Sequence, residues 1–174
     1  RSLCDWSSDV CSSDLGPDSV LGLDCRYCHN FVDKSGHSNV PTTNTCWNCH
    51  SQVKTDSPAL ALVKKSIETG EAIRWVKVHK VPDYVDFNHA VHVNRGVSCV
   101  ECHGRIDQQA VVGQQKSLNM SFCLECHRNP EQVLRPVDKI TDLAYKAASP
   151  AAQVEQGTKF VHDWKVNRSE EHTV

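Results

Sequence analysis

The sequence predicts a mainly α-helical fold with much coil, in which short helices and loops are wrapped around repeated cysteine motifs. Helix starts recur along the chain as Ser-Pro and Asn-Pro pairs, whereas the alternation typical of a strand is confined to about residues 73–81. Aromatic residues make up 6% of the 174 residues. Because a chain this short buries little apolar surface, something other than a conventional core must fill its interior.

The clearest predicted helix begins at Ser57-Pro58, where serine suits the N-cap and proline suits the first helical position. Its apolar residues Leu60, Val63 and Ile67 recur three and four positions apart, so they are expected to form one face that packs into the core. Gly70 follows this stripe and is predicted to end the helix.

Two more helices are predicted to begin at Asn129-Pro130 and Ser149-Pro150 by the same chemistry. Gly157 is predicted to end the second of them.

Residues 1–15 and 168–174 are predicted to be non-natural. The DNA for Ser12-Ser13-Asp14-Leu15 can be written TCTTCCGATCT, and its reverse complement encodes the Arg-Ser-Glu that begins at Arg168. This relation is expected when a short DNA fragment carries a sequencing adapter at each end. The natural sequence then spans residues 16–167, and Cys4 and Cys11 do not belong to it.

Composition excludes several classes of function. The formal net charge is −2, which offers no electrostatic surface for nucleic acid. The sequence contains no phosphate-binding glycine loop, dinucleotide fingerprint or Ser-His-Asp arrangement, so no catalytic residues are predicted.

The remaining eight cysteines all belong to Cys-x-x-Cys-His motifs, the pattern of c-type haem attachment. Two cysteines three apart on one turn can form thioethers with the two vinyl groups of a haem, and the following histidine can bind the iron. The predicted cofactor is therefore haem c, in four copies, within a multihaem cytochrome c fold built around stacked haems. The four motifs are Cys25-Arg26-Tyr27-Cys28-His29, Cys46-Trp47-Asn48-Cys49-His50, Cys99-Val100-Glu101-Cys102-His103 and Cys123-Leu124-Glu125-Cys126-His127.

A structural module with two zinc ions is the alternative for the same cysteines. Gaps of 17 residues between the first two cysteine pairs and 20 between the last two fit zinc ribbons. A zinc ribbon does not need a histidine after each pair, yet all four pairs have one, which favours haem.

Further histidines could bind the second axial position of each iron. His89 and His92 are three apart and would share one helix face, from which they could serve two haems. His79 lies in the alternating stretch and is a third candidate. His37 is expected to face solvent, and His162 is a weak candidate. Met120 could offer a thioether sulfur but is expected to pack against a haem ring.

The motif spacing predicts two dihaem units, at about residues 16–56 and 87–136. A linker helix and an extended segment occupy residues 57–86 between them, and a tail occupies residues 137–167. A surplus of histidine ligands closes most iron sites, which favours electron transfer over chemistry on a substrate.

The segments between the motifs make a more specific match. Residues 25–136 resemble the pentahaem cytochrome subunit of alternative complex III, a bacterial quinol-oxidising respiratory complex. The stretches that carry the resemblance are Gly22-Leu23-Asp24 before the first motif, Val40-Pro41, residues 75–85, Phe87-Asn88-His89-Ala90-Val91-His92, residues 117–130 and Leu134-Arg135-Pro136.

This resemblance implies mostly bis-histidine haems, with His79, His89 and His92 as distal ligands. It also implies iron–sulfur and membrane subunits as partners, a cytochrome or oxidase as electron acceptor, and a place on the periplasmic side of a bacterial inner membrane. Membrane association would come through the missing N-terminal region or the partner subunits. A free periplasmic multihaem carrier, or a subunit of another respiratory reductase, is the alternative.

Two departures from the family pattern are expected to matter. Relatives carry Phe-x-His-x-x-His upstream of the first motif, where this chain has adapter-like sequence, so two haems would lack a distal ligand. Relatives also carry a fifth motif, and residues 153–167 resemble the segment that leads into it. Trp47 stands where relatives often have methionine, which affects little.

Overall fold

The computed structural model describes residues 23–109 and 111–166. The segments that we interpret as adapter-derived, 1–15 and 168–174, lie outside these residues. The described chain is mainly helical with much coil, as the sequence predicts. Its α-helices are α1 (Thr43–His50), α2 (Ala61–Thr69), α3 (His89–Asn94), α4 (Cys99–His103), α5 (Met120–Arg128) and α6 (Pro150–Asp163). Short 3-10 turns occupy Cys25–Tyr27, Pro58–Leu60, Ile106–Gln108, Pro130–Gln132 and Val137–Lys139.

Polar side chains set the starts of the four later α-helices. Asn88 accepts a hydrogen bond from the Val91 amide at the start of α3, and Asn119 accepts one from Phe122 in α5. Ser98 and Ser149 cap α4 and α6 in the same way. Each cap satisfies an amide that has no partner within its helix, which fixes where the helix begins.

The helix predicted to begin at Ser57-Pro58 is present. Pro58–Leu60 forms a 3-10 turn that continues into α2, and Gly70 ends α2 in the left-handed conformation at φ 73°. Val63 is 8% exposed, and Leu60 and Ile67 are half-buried. Glycine adopts this φ at no steric cost, which explains the end of the helix.

The strand signal at 73–81 is wrong, because this segment forms neither strand nor helix. A strand requires a hydrogen-bonded neighbour, and the sole β pairing in the described residues is the isolated bridge between Val97 and Leu134. Val76 is 84% exposed, so the alternating side chains have no sheet to cover.

Helix α6 begins at Ser149-Pro150 as predicted but runs past Gly157 to Asp163. Gly157 is buried where α6 crosses the turn Pro130–Gln132, and a Cβ at this position would collide with the Glu131 carbonyl. The glycine therefore permits close packing within the helix and does not end it. The helix predicted at Asn129-Pro130 is only this single 3-10 turn, since Leu134 leaves to pair with Val97.

The apolar core is small. In the described residues six hydrophobic side chains are buried: Val63, Val93, Leu118, Leu134, Ile140 and Leu143. Three of them lie in the loop that follows α5, so this core belongs mainly to the C-terminal half of the chain.

We expect Gly157→Ala to destabilise the protein by about 1–3 kcal/mol, as overpacked sites do, because the added methyl group meets backbone that cannot yield. The measurement is thermal unfolding of the cofactor-loaded protein. Gly113→Ala is the matched control, since a Cβ there meets only the Gln115 side chain at 3.8 Å. Equal unfolding temperatures for the two variants would contradict this account of α6.

Candidate haem-attachment sites

All four Cys-x-x-Cys-His motifs lie on single helical turns. The first begins on the 3-10 turn Cys25–Tyr27, the second ends α1, the third is α4, and the fourth lies within α5. A helical turn brings positions three apart to the same face, so both sulfurs of a pair can reach one ligand. The local geometry that thioether attachment requires is therefore present at each motif.

Four imidazoles are oriented by backbone carbonyls. The Nδ1 of His29 lies 2.7 Å from the Asn39 oxygen, and that of His50 lies 3.2 Å from the Val53 oxygen. In α3, the Nδ1 of His89 lies 3.1 Å from the Gly36 oxygen, and that of His92 lies 2.8 Å from the Asn88 oxygen.

A carbonyl can only accept a hydrogen bond, so each of these Nδ1 atoms must carry the proton. The Nε2 atoms then keep a free lone pair. This is the arrangement by which proteins present histidine to a metal.

Two imidazole pairs bring a distal candidate against a motif histidine. The rings of His79 and His103 have centroids 4.3 Å apart, with the His79 Nε2 at 3.2 Å from the His103 Nδ1. The rings of His92 and His127 have centroids 6.1 Å apart. Neither His29 nor His50 has such a ring neighbour within the part of the chain that the structure describes.

His89 connects α3 to the loop that follows the first motif. Its amide and its Nδ1 both donate to the Gly36 carbonyl, at 3.1 Å each, and the Ala90 amide donates to Ser35. Asn94 at the other end of α3 donates to the Asp33 carbonyl at 2.8 Å. Helix α3 therefore lies along the loop that follows the first motif.

A cavity of about 370 Å³ opens between these elements. Cys99, Cys102 and His103 of the third motif line it, together with His79, His89 and His92. Leu118 and Phe122 add apolar surface. A largely apolar cleft with a few convergent ligand groups is the usual form of a cofactor site, so the residues fit a haem at the third motif.

Partial burial and the neighbouring His79 lower the pKa of His103 to about 4. Partial burial also lowers the pKa of His89 below its ordinary value. Both imidazoles are therefore neutral near pH 7, which is the form that binds metal. Burial raises the pKa of Cys102 to about 11, which keeps that thiol protonated.

An ion pair that local sequence patterns do not reveal supports the third motif. Arg135 is 7% exposed and donates to the Glu101 carboxylate at 2.6 Å, inside the motif. Its amide donates to the Gly96 carbonyl, just before the motif. The carbonyls of Asn39, Val53 and Gly36 that orient the imidazoles are equally invisible in sequence, because any residue supplies a carbonyl.

The remaining candidates lie apart from these pairs. His162 lies on α6, and its side chain is 90% exposed beside Asp163. Met120 is 50% exposed at the start of α5. His37 is exposed, as predicted, although it borders the cavity.

The geometry does not favour the zinc alternative. Within residues 23–109 and 111–166, no three His, Cys, Asp or Glu side chains come together in a group that could hold a metal ion. A structural zinc site takes four such ligands at one point.

Part of the chain is similar to known proteins. Residues 85–154, which include the third and fourth motifs, match the family described as cytochrome c7 and related cytochrome c. The menaquinone reductase multiheme cytochrome c subunit of Nitratidesulfovibrio vulgaris is 32% identical over 83 residues, which are 47% of this chain and 39% of that protein. The match thus spans about two fifths of the relative's length. Residues 85–154 thus resemble a cytochrome c7-like multihaem cytochrome domain, and the helix-and-coil architecture is consistent with a small multihaem cytochrome c fold.

Across the described residues, no helix combines the length and the apolar character needed to cross a membrane.

Low pH should weaken the contact of the Asp24 carboxylate with Arg26, beside the first motif. Hydrogen bonds from Arg26, together with one from Thr141, hold the pKa of Asp24 at about 2, below its ordinary 3.8. A lowered carboxyl pKa stabilises the fold above the ordinary value, and this contribution is lost as pH falls from about 4 to about 2. Because the Asp24 side chain is 39% exposed, the effect is modest, below about 1 kcal/mol.

We expect Asp24→Asn, which keeps an acceptor oxygen, to unfold at a lower temperature than the parent near pH 7 and at the same temperature near pH 2. Thermal unfolding across this range measures the difference. Asp56→Asn removes the same charge from an exposed site and serves as control. A parent–variant difference that stays constant down to pH 2 would refute this role for Asp24.

Proposed function

We propose that this cytochrome c7-like chain carries electrons through four covalently attached haems c. The observation that carries the proposal is the coincidence of four Cys-x-x-Cys turns with imidazoles whose Nδ1 atoms are held by backbone carbonyls. When bound, haem iron supplies a one-electron redox centre. The chain's own residues attach it, orient it and limit access to it.

Each residue type has a distinct role in this proposal. The eight motif cysteines provide the thioether sulfurs, and His29, His50, His103 and His127 provide the proximal imidazoles. His79 would help to hold the haem of the third motif, whose His103 it neighbours, and His92 would help to hold that of the fourth motif, whose His127 it neighbours. His89 would serve the haem of the first motif, against whose following loop it is fixed.

Where two histidines would hold one haem, as proposed for the first, third and fourth motifs, that haem would offer a substrate no open site. Electron transfer without catalysis on a bound molecule is the function such closed sites support.

We further propose that the intact protein is a subunit of a membrane quinol:acceptor oxidoreductase on the periplasmic side of a bacterial inner membrane. Its partners would be iron–sulfur and membrane subunits, and a cytochrome or oxidase would accept the electrons. The linking segments, from Trp75 to Val85 and at Phe87-Asn88-His89, resemble the alternative complex III cytochrome. The name of the relative, a menaquinone reductase subunit, supports a link to quinones and favours a second candidate, a quinone-reducing complex.

The first test is the haem content of the protein produced with a cytochrome c maturation system. A pyridine haemochrome assay and intact mass are expected to show four covalent haems, and Cys46→Ala/Cys49→Ala is expected to show three. Trp47→Ala is the control within the same motif and should retain all four. Absence of covalent haem, or stoichiometric zinc in its place, would overturn the proposal.

The second test concerns the distal ligands. We expect His92→Ala to convert one of the four haems from low-spin to high-spin, because its iron loses one of two strong-field ligands. Electron paramagnetic resonance of the oxidised protein measures this change. His162→Ala removes an exposed histidine and should leave the spectrum unchanged. A His92→Ala protein with no more high-spin haem than the parent would show that His92 is not a ligand.

A further inference from the structure

Two of the motifs are held side by side by one loop, although 74 positions separate their first cysteines in sequence. The loop consists of Ile140 and Thr141, which follow the 3-10 turn Val137–Lys139. The Thr141 hydroxyl donates to the Asp24 carboxylate at 2.9 Å, and Asp24 immediately precedes Cys25. The Ser98 hydroxyl donates to the Ile140 carbonyl at 2.6 Å, and Ser98 immediately precedes Cys99. Consecutive loop residues therefore bind the starts of the first and third motifs.

The bond between Ser98 and Ile140 is buried, whereas the bond from Thr141 reaches an Asp24 side chain that is 39% exposed. Ser98 and Ile140 are each 1% exposed, and Thr141 is 7% exposed. Removing one partner of a buried hydrogen bond leaves the other polar atom without a protein group or water to bind.

The same loop is fixed to the third motif by a separate set of bonds. The Arg135 guanidinium donates to Glu101 in the motif at 2.6 Å and to the Asp142 carbonyl beyond the loop at 3.4 Å. The loop therefore belongs structurally to the third motif, and Thr141 connects it to the first.

Other contacts place the remaining motifs beside these two. The Asn48 side chain of the second motif donates to the Tyr27 hydroxyl of the first motif at 3.4 Å. Cys102 of the third motif and Cys123 of the fourth line the same cavity. These contacts join the motifs in the order second, first, third, fourth.

We infer that the four haems form one chain in this order, and that Asp24, Ser98 and Thr141 are positioning residues for its central step, between the first and third haems. This inference rests on the proposed function, since it presumes that haem is attached at both motifs. Cys25 and Cys99 directly follow Asp24 and Ser98 and would each carry a thioether, so the loop would bring the two attached haems close to each other. Electron tunnelling falls steeply with distance, so the loop would control passage between the two dihaem units.

The test is proton NMR of the fully reduced, haem-loaded protein under carbon monoxide, which makes any haem without a second histidine diamagnetic. Contacts between substituents of neighbouring haems then give nuclear Overhauser cross-peaks. Cross-peaks are expected between the first and third haems, the first and second, and the third and fourth. Cross-peaks that join the second haem to the third, or the first to the fourth, would overturn the proposed order.

The positioning residues are tested by Thr141→Val and Ser98→Ala. Each is expected to lose the cross-peaks between the first and third haems while those within the dihaem units persist, because this signal decays with the sixth power of distance. Thr141→Ser keeps the hydroxyl and loses the methyl group, so it should keep the cross-peaks that Thr141→Val loses. If side-chain size mattered and the hydrogen bond did not, Thr141→Ser would lose them as well. Ser121→Ala is the matched control, since it removes a hydroxyl hydrogen-bonded to Asn119 at 2.9 Å beside the fourth motif.

Haem content separates this inference from the proposed function. Four covalent haems with unchanged cross-peaks in both Thr141→Val and Ser98→Ala would refute the role of the loop and leave the proposed function intact. A parent protein without covalent haem would refute the proposed function itself. If Thr141→Val does not fold, the comparison of Ser98→Ala with Ser121→Ala decides the question.

Discussion

The scarcity of buried apolar side chains is the constraint on which the rest of this structure depends. Six hydrophobic side chains are buried in the described residues, and three of them lie between residues 134 and 143. Burial on this scale does not offset the conformational entropy that ordering a chain of this length costs. The first two motifs have hardly any apolar core around them. Attached haems would supply that missing interior, so cofactor attachment and folding are expected to be coupled, as they are in small metal-dependent domains.

Hydrogen bonds to backbone carbonyls orient four histidine side chains that the small apolar core does not hold in place. The imidazoles of His29, His50, His89 and His92 each point a protonated nitrogen at a carbonyl. Such bonds contribute about 1 kcal/mol each to stability, but their effect on orientation is larger than this figure suggests. A histidine whose ring is already aligned loses less freedom when it binds a metal, so these bonds lower the entropic cost of binding.

The local sequence predicts the motifs and most helix starts, because these depend on residues close together in the chain. Features that depend on contacts between distant elements are not predicted. The motifs and the helix starts at Ser57-Pro58 and Ser149-Pro150 depend on neighbours within one turn, so they can be read directly. Glycine is typical of a helix end, so the sequence predicts that Gly157 ends α6. In the structure, close packing against Glu131 on another element requires a glycine at this position. The pairing of His79 with His103 spans 24 positions, and no local pattern encodes which histidines meet. The alternation at 73–81 predicted a strand for which the fold provides no neighbour.

The bond between Asp24 and Thr141 has a consequence for how the protein is made, because 117 positions separate its two ends. A chain that is synthesised or exported N-terminus first presents the first motif long before the loop that will hold it. Asp24 meanwhile caps the turn that carries Cys25, through the Arg26 amide at 2.8 Å. The turn can therefore take its shape locally and receive its haem during this interval. Biogenesis would then proceed in two stages, with each motif loaded on its own turn and the first and third motifs joined only when Thr141 arrives.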